Sequence, residues 1–315
     1  MPQPFGWGIL FLDLTMVQPP FLQPGDTIGI VAPANQLSIS SIKKAATIIE
    51  SWGLEVLLGK SVYDKHNQFA GPDQARLLDL QSMMDDLRVK AIFCARGGYG
   101  TSRIIDELDF SKFRTNPKWL VGFSDITALL CQLYKIGIKS VHGTMPILFE
   151  KKGYEEANTS LKNLLFGGRC KLLVPAHSLN RIGESSGLVV GGNLSILTHL
   201  LGTKSEIDTT NTLLFLEEVG EYLYNLDRMM VQLKRAGKLK DLAGMIIGSI
   251  TKSKDNDIPF GQSPYEIVLG HLKEYAYPVA FDFPIGHTEH NIALPIGSMG
   301  SLKVDEAEAV LQFED

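Results

Sequence analysis

Short apolar runs alternate with amphipathic segments between residues 24 and 141, and this alternation constrains the fold more than any other feature. The runs at 27–32, 54–58 and 91–94 have the length of buried strands, and apolar residues at helical spacing follow them. A β-α-β-α pattern predicts a parallel sheet with helices on both faces. Ligands bind to such sheets beyond the carboxyl ends of the strands.

One strand end carries a serine. The apolar run 119–123 stops at Ser124, and Asp125 opens a segment with helical periodicity. Ser124 is therefore predicted on a sharp strand-to-helix turn, which exposes its hydroxyl beside the free N–H groups of the helix start. That geometry suits a nucleophile, and a simple helix N-cap is the alternative for this serine.

A glycine-rich loop, RGGYG at 96–100, ends the preceding predicted strand. A helix is predicted to begin after it at Thr101. A phosphate-binding role is one interpretation, but the spacing matches neither G-x-G-x-x-G nor a P-loop. The alternatives are a tight turn or a second source of N–H donors beside Ser124, because neighbouring strand ends lie close together.

A carboxylate pair and a histidine complete a possible catalytic set. Glu217 and Glu218 end a predicted strand, and strand alternation turns one of them toward the interior or a cleft. His287 lies in a loop between predicted strands. Nucleophilic catalysis needs a hydroxyl, a base and a carboxylate that orients the base. The order Ser…Glu…His matches α/β-hydrolases, although Ile126 replaces the second glycine of G-x-S-x-G.

His287 and His290 are spaced three apart, which is the one arrangement in the sequence that suggests a metal pair. No other cluster of histidine, cysteine or aspartate completes a ligand set. We therefore expect no metal and no cofactor. His142 and His199 follow or lie within apolar segments and are predicted to be core-edge residues.

The composition excludes several classes of partner. A net charge of −5 and a pI near 5.8 argue against nucleic acid and acidic membrane surfaces. Three cysteines provide no disulfide framework, which favours a reducing, cytoplasmic location. The apolar stretch at 5–17 lacks a basic flank, is interrupted by Asp13 and is too short to span a bilayer. Residues 1–15 are interpreted as a dispensable extension.

Turn-forming residues between 150 and 187 interrupt the regular pattern and predict a domain boundary. We expect an N-terminal extension at 1–22, a domain carrying the serine at 23–165, a linker at 166–186 and a second domain at 187–315. The second domain carries Glu217 and His287 and is predicted to be α+β, with an irregular loop at 284–297 and two final strands. The active site would lie in a cleft between the domains.

The sequence resembles the LD-carboxypeptidase family of serine peptidases, which includes the muramoyltetrapeptide carboxypeptidases and the related microcin C self-immunity proteins. The resemblance covers residues 23–302. It rests on five motifs: Gly25-Asp26-Thr27-Ile28 with Ala32-Pro33-Ala34, Arg96-Gly97-Gly98-Tyr99-Gly100, Gly122-Phe123-Ser124-Asp125-Ile126-Thr127, Phe215-Leu216-Glu217-Glu218-Val219-Gly220-Glu221, and Pro284-Ile285-Gly286-His287 with Leu294-Pro295-Ile296-Gly297.

The resemblance implies an α/β fold with a flavodoxin-like N-terminal parallel-sheet domain and a C-terminal domain like a swivelling β/α-barrel, often dimeric. It also implies roles for individual residues. The set comprises Ser124 as nucleophile, His287 as base, Glu217 as its partner, Asp125 with Gly97 or Gly98 as oxyanion donors, and Arg96 and Tyr99 as substrate-binding residues. The family usually has Glu-Asp where this chain has Glu217-Glu218, which leaves the choice of carboxylate open.

The implied reaction is metal-free release of the terminal D-alanine from the murein tetrapeptide L-Ala-D-Glu-meso-Dap-D-Ala through an acyl-enzyme. Its use would be cell-wall recycling in the cytoplasm, by a homodimer. Two alternatives remain open at this point. One is hydrolysis of microcin-like acyl-aminoacyl nucleotides, and the other is a non-enzymatic module that binds an anionic ligand at the glycine-rich loop.

Overall fold

Residues 16–314 are described by a computed structural model, in which the strands form two sheets. The first half of the chain supplies most of the first sheet and the helices around it. Its strands are β1 (Thr27–Val31), β2 (Glu55–Leu58), β3 (Val89–Cys94), β4 (Trp119–Gly122) and β5 (Ser140–His142). Its helices are α1 (Ile39–Glu50), α2 (Asp73–Asp85), α3 (Ser111–Thr115), α4 (Thr127–Lys135) and α5 (Glu155–Leu165).

The first sheet is the predicted parallel sheet. Strands β1 to β5 pair in parallel in the order β2-β1-β3-β4-β5, which is the doubly wound order of flavodoxin. Strand β4 is buried throughout because helices cover both of its faces. The Ser38 side chain caps α1 by accepting the Ser41 N–H. The carboxyl ends of β3 and β4 therefore lie side by side, as the alternation indicates.

The predicted helix at Thr101 is wrong. The segment forms only short 3₁₀ turns, Thr101–Arg103 and Ile105–Glu107. Adjacent Ile104 and Ile105 are both buried, so apolar side chains pack into the core on both sides of the segment rather than along one helical face.

The second sheet is mixed. Strands β7 (Gly183–Asn193), β8 (Thr212–Val219), β9 (Gly244–Thr251) and β10 (Val279–Ala280) pair in parallel. Strands β12 (Met299–Val304), β13 (Glu308–Phe313) and β6 (Lys171–Pro175) continue the sheet beyond β7 by antiparallel pairing. The helices of this half are α6 (Leu194–His199), α7 (Leu223–Arg235) and α8 (Pro264–Gly270).

Two segments differ from the sequence-based expectation. The predicted linker, 166–186, contains β6 and the start of β7. The surrounding glycines and prolines indicate turns, but Leu172 and Val174 are buried and alternate with exposed residues, as in a strand. The loop at 284–297 contains β11 (Leu294–Ile296), which pairs antiparallel with β5. The second half of the chain thus adds an edge strand to the first sheet.

The predicted extension at 1–22 is only partly tested, since residues 1–15 lie outside the described residues. Residues 16–22 pack against the first sheet and are not a detached segment. Leu22 is fully buried, the Trp119 indole N–H donates to the Pro20 carbonyl oxygen at 2.9 Å, and Phe21 stacks on the same indole. Across residues 16–314, no helix combines the length and apolar character needed to cross a membrane.

We predict that a chain beginning at Gln23 is less stable than one beginning at Met16. The shorter chain loses the burial of Leu22, and truncating such a side chain costs about 2–5 kcal/mol. Chemical denaturation of both chains measures the difference. Equal denaturation midpoints would show that residues 16–22 contribute nothing to the fold.

Candidate active site

Ser124 follows the end of β4 on a strained turn. Its φ is +62°, a left-handed conformation that a residue with a Cβ adopts only when its surroundings impose it. A 3₁₀ turn, Ser124–Ile126, leads directly into α4. The turn is so tight that a Cβ on Gly122 would lie 2.6 Å from Cγ2 of Ile126. Only glycine fits there, so Gly122 supplies the close approach that an exposed hydroxyl on a strand-to-helix turn requires.

The structure brings Ser124, His287 and Glu217 into one hydrogen-bonded chain. Nε2 of His287 lies 3.2 Å from Oγ of Ser124, and Nδ1 lies 2.7 Å from Oε2 of Glu217. A carboxylate can only accept, so the Nδ1–H donates to Glu217 and Nε2 is left to accept the serine proton. These three side chains, far apart in sequence, form one hydrogen-bonded chain at the junction of the two sheets, which we call the relay, and nucleophilic catalysis needs such an arrangement.

The structure separates the two adjacent glutamates. The pairing of β8 with β9 shifts register between Leu216 and Glu218, and Glu217 is fully buried beside His287. Glu218 faces α6 instead, where it accepts the Ser195 N–H at 2.8 Å and the Asn193 amide at 3.1 Å. Burial raises the pKa of Glu218 to about 7. Of the two, Glu217 is the carboxylate hydrogen-bonded to His287, and Glu218 holds the start of α6.

The histidine loop is packed directly on Glu217. A Cβ on Gly286 would lie 2.6 Å from Cβ of Glu217, so this residue must be glycine for the loop to approach so closely. The Gly286 N–H donates to Oδ1 of the buried Asn291 at 2.7 Å. The Phe123 ring lies 4.9 Å from the imidazole of His287, centre to centre. These contacts hold His287 in its orientation toward Ser124.

Gly97, rather than Gly98, lies against the serine. A Cβ on Gly97 would stand 3.1 Å from Cβ and 3.3 Å from Oγ of Ser124, whereas one on Gly98 would strike the side chain of Asn35. The amide of Asp125 belongs to the first turn after the strand, where N–H groups have no intrahelical acceptor. The backbone of Gly97 therefore lies against both Ser124 and the Asp125 amide, whose nitrogen would be 3.4 Å from a Cβ on Gly97.

The Asp125 side chain has a separate task, which sequence reasoning did not predict. Its buried carboxylate accepts the Thr101 N–H at 2.9 Å, so it joins the serine turn to the glycine-rich loop. Burial raises the pKa of this carboxyl group, and hydrogen bonds from Thr101 oppose the rise. The signal available in the sequence was a charged residue, Asp125, at the end of a strand that is otherwise apolar.

The other two predicted site residues lie in the same loop. The Arg96 guanidinium donates to the Gln36 carbonyl oxygen at 2.7 Å. Tyr99 is 45% exposed, and its N–H donates to the Asn35 side chain at 3.3 Å. Arg96 is thus engaged in holding a neighbouring loop, while the Tyr99 ring is open to solvent.

The two histidines of the possible metal pair point to different partners. His290 Nδ1 lies 2.7 Å from Oε2 of Glu156, and both ring nitrogens of His287 are engaged in the relay. Within residues 16–314 no group of three or more His, Cys, Asp or Glu side chains is arranged to hold a metal ion. Cys94 and Cys131 are buried.

His142 was predicted to be a core-edge residue and is instead completely buried beside the relay. Its ring lies 5.7 Å from the ring of Phe123 and 5.0 Å from that of Phe215. Burial lowers the pKa of His142 to about 4. Its position at the end of β5, beside β4, was the signal that could have linked it to Ser124.

Comparisons with known proteins identify the family of this chain. A model of the LD-carboxypeptidase N-terminal domain matches residues 28–143, and one of the LD-carboxypeptidase C-terminal domain matches residues 186–302. The chain is 36% identical to a probable murein peptide carboxypeptidase of Bacillus subtilis, over 94% of each chain. It is 28% identical to the murein tetrapeptide carboxypeptidase of Pseudomonas aeruginosa, over 89% of this chain and 94% of that protein.

Solved structures show the same fold. The muramoyltetrapeptide carboxypeptidase of Oxalobacter formigenes superposes with a TM-score of 0.83 at 27% identity, covering 92% of this chain and 99% of that one. MccF in complex with glutamyl sulfamoyl guanosine also reaches 0.83, over 94% and 98% of the two chains, but at 20% identity it supports the fold alone. Because the two family models together match well over half of the sequence, and a relative shares 36% identity across 94% of it, the chain belongs to the LD-carboxypeptidase family of peptidases.

Proposed function

We propose that this chain is a serine-type LD-carboxypeptidase that releases the terminal D-alanine from murein tetrapeptides. The observation that carries the proposal is the hydrogen-bonded chain from Ser124 through His287 to Glu217. The names of the relatives from Pseudomonas aeruginosa and Oxalobacter formigenes support the murein tetrapeptide as substrate. The low identity to MccF gives the nucleotide alternative no comparable support.

The reaction follows from the orientation of the three side chains. Nε2 of His287 takes the proton of Ser124 as Oγ attacks the carbonyl carbon between the L-centre of meso-diaminopimelate and D-alanine. Glu217 fixes the imidazole tautomer and stabilises the imidazolium that forms. His287 then protonates the leaving amine, D-alanine departs, and water cleaves the acyl-enzyme to regenerate the serine.

The negative charge on the carbonyl oxygen needs donors that are already in place. The Asp125 N–H and a backbone N–H of the glycine-rich loop serve this purpose in our proposal, and the contact of Gly97 with Ser124 supports Gly97 as the second donor. Fixed donors of this kind contribute about 2.7–4 kcal/mol each to lowering the barrier. Arg96 and Tyr99 would bind the substrate from the same loop.

The wider setting is part of the same proposal. Recycling of cell-wall peptides in the cytoplasm fits a substrate of this type and a metal-free serine mechanism. A homodimer and a swivelling, barrel-like second domain are expected from the family resemblance. Such a second domain would be built on the mixed seven-stranded sheet, whose outer strands are β10 and β6.

We predict that Ser124→Ala abolishes D-alanine release from L-Ala-D-Glu-meso-Dap-D-Ala. Loss of a serine nucleophile lowers kcat by a factor on the order of 10⁶. The measurement is D-alanine release by the purified variant, with circular dichroism to verify the fold. Ser51→Ala, which changes an exposed serine at the end of α1, is the control and should keep full activity. More than trace release by the Ser124 variant would contradict the proposal.

We predict that the two glutamates respond differently to conservative changes. Glu217→Gln should lower kcat by a factor on the order of 10⁴, since the amide no longer fixes the imidazole tautomer or stabilises the imidazolium. Glu218→Asp keeps a carboxylate near α6 and should leave kcat within about tenfold of the original, because it does not touch His287. Steady-state kinetics on both variants test this assignment. The reverse ranking would transfer the orienting role to Glu218.

We predict that chelation leaves the activity unchanged, because the relay uses only protein groups. D-alanine release is compared before and after exhaustive dialysis against EDTA. Activity lost on dialysis and restored by zinc would favour the pair formed by His287 and His290 as a metal site instead.

A further inference from the structure

His142 lies next to the relay, in buried surroundings that do not explain why this residue is a histidine. It ends β5, where it pairs with Gly122 of β4 on one side and with Leu294 of β11 on the other. The side chain is 0% exposed and packs against the rings of Phe123 and Phe215. An aliphatic or aromatic residue would suit these surroundings better than an imidazole.

The polar atoms around it are unusual. Among the described residues, neither ring nitrogen of His142 has a hydrogen-bond partner at normal geometry, and the same holds for Oε1 of Glu217 and Nδ2 of Asn291. Buried polar groups are almost always paired, and each exception calls for an explanation. The residues that carry these atoms are linked: the Asn291 side chain interacts with His142, Asn291 also accepts the Gly286 N–H beside His287, and the charge of Glu217 acts on the His142 ring. We call His142, Asn291 and Oε1 of Glu217 the rear cluster.

Electrostatics link the rear cluster to the relay. Burial disfavours the protonated form of His142, Glu217 of β8 favours it, and His287 opposes it. Glu217 and His287 are the ionisable groups that act on this ring, and Asn291 is the uncharged polar neighbour. Burial has the largest effect and lowers the pKa of His142 to about 4, so the imidazole is neutral near neutral pH. A second cation beside His287 is thereby avoided.

We propose that His142 is a positioning residue: a neutral imidazole that, with Asn291, solvates the inner oxygen of Glu217 and so holds the carboxylate in line with His287. The inference rests on the proposed function, because it assigns His142 a role in supporting that relay. Oε2 of Glu217 is already engaged by His287 at 2.7 Å. Oε1 has no hydrogen-bond donor at normal geometry among the described residues, so in this proposal its stabilisation comes from the dipoles of polar groups nearby, and His142 is the ring on which the Glu217 charge acts.

A structural role and a supporting role in catalysis predict opposite trends in stability and activity. Replacing imperfectly paired buried polar groups by apolar ones of similar shape is close to neutral or stabilising. Polar groups retained at such a cost are typical of active sites, where activity is favoured over stability. His142→Phe should therefore keep or raise the melting temperature while lowering kcat.

The pH profile supplies a second readout. With the rear dipoles removed, the Glu217 carboxylate depends more on the imidazolium of His287 for its stabilisation. The protonated, inactive form of His287 then persists to higher pH. The acid limb of the kcat/KM profile should move to higher pH in His142→Phe, and KM should change little because His142 does not reach the surface.

The experiment compares His142→Phe and His142→Asn with the unmodified enzyme on L-Ala-D-Glu-meso-Dap-D-Ala. We expect kcat of the Phe variant to fall by about 10- to 100-fold, the size of effect that loss of an outer supporting partner has in metal sites. The Asn variant, which keeps an amide near the ring position, should recover part of the loss. Ser140→Ala is the matched control, since Ser140 is another buried residue of β5 with an unpaired hydroxyl. It should leave kcat and the pH profile unchanged.

The inference would be overturned by a folded Phe variant whose kcat lies within about twofold of that of the unmodified enzyme and whose acid limb lies at the same pH. If the Phe variant does not fold, the Asn variant decides: kcat and an acid limb equal to those of the unmodified enzyme reject the role, and a shifted acid limb in the folded protein supports it. Failure of the proposed function is recognised separately. In that case the unmodified enzyme itself releases no D-alanine and a fluorophosphonate probe does not label Ser124.

Discussion

The pairing of β11 with β5 determines where the second half of the chain meets the first. Leu294–Ile296 adds an antiparallel edge strand to the parallel sheet, and Met299–Val304 begins directly afterwards in the other sheet. The segment 294–304 therefore contributes one strand to each sheet. The loop that precedes it must pass the carboxyl end of β4, and His287 lies in that loop. Without this backbone pairing, nothing in the local sequence would bring the imidazole to the serine.

Around this junction the protein accepts several locally unfavourable features. Ser124 has a left-handed backbone conformation, Glu217 and Asp125 are buried carboxylates, and His142 is a buried imidazole. Each lowers stability taken alone. Their concentration at one place is typical of a functional site, where preorganised groups act on a charge that develops during reaction. The surrounding apolar strands, such as the fully buried β4, supply the compensating stability.

Errors in the sequence-based prediction have a common cause. The segment at Thr101 has helical periodicity but forms 3₁₀ turns, because its apolar side chains pack on both sides of the segment rather than along one helical face. The strands Lys171–Pro175 and Leu294–Ile296 lie in segments that the sequence predicts to be a linker and a loop. Both carry prolines and pair with strands that are distant in sequence. Edge strands of this kind depend on long-range partners, so local composition does not reveal them.

The sequence by itself determined the alternation that builds the parallel sheet, the turn at Ser124 and, through its motifs, the family. These depend on periodicity and on glycine at fixed spacing, which are local properties. Only the tertiary structure decided that Glu217 rather than Glu218 faces His287, that Gly97 rather than Gly98 touches Ser124, and that His142 lies behind the relay. The physical reason is that each choice is fixed by packing between segments far apart in the chain. Neighbouring residues with the same chemistry can be told apart only when the opposing surface is known.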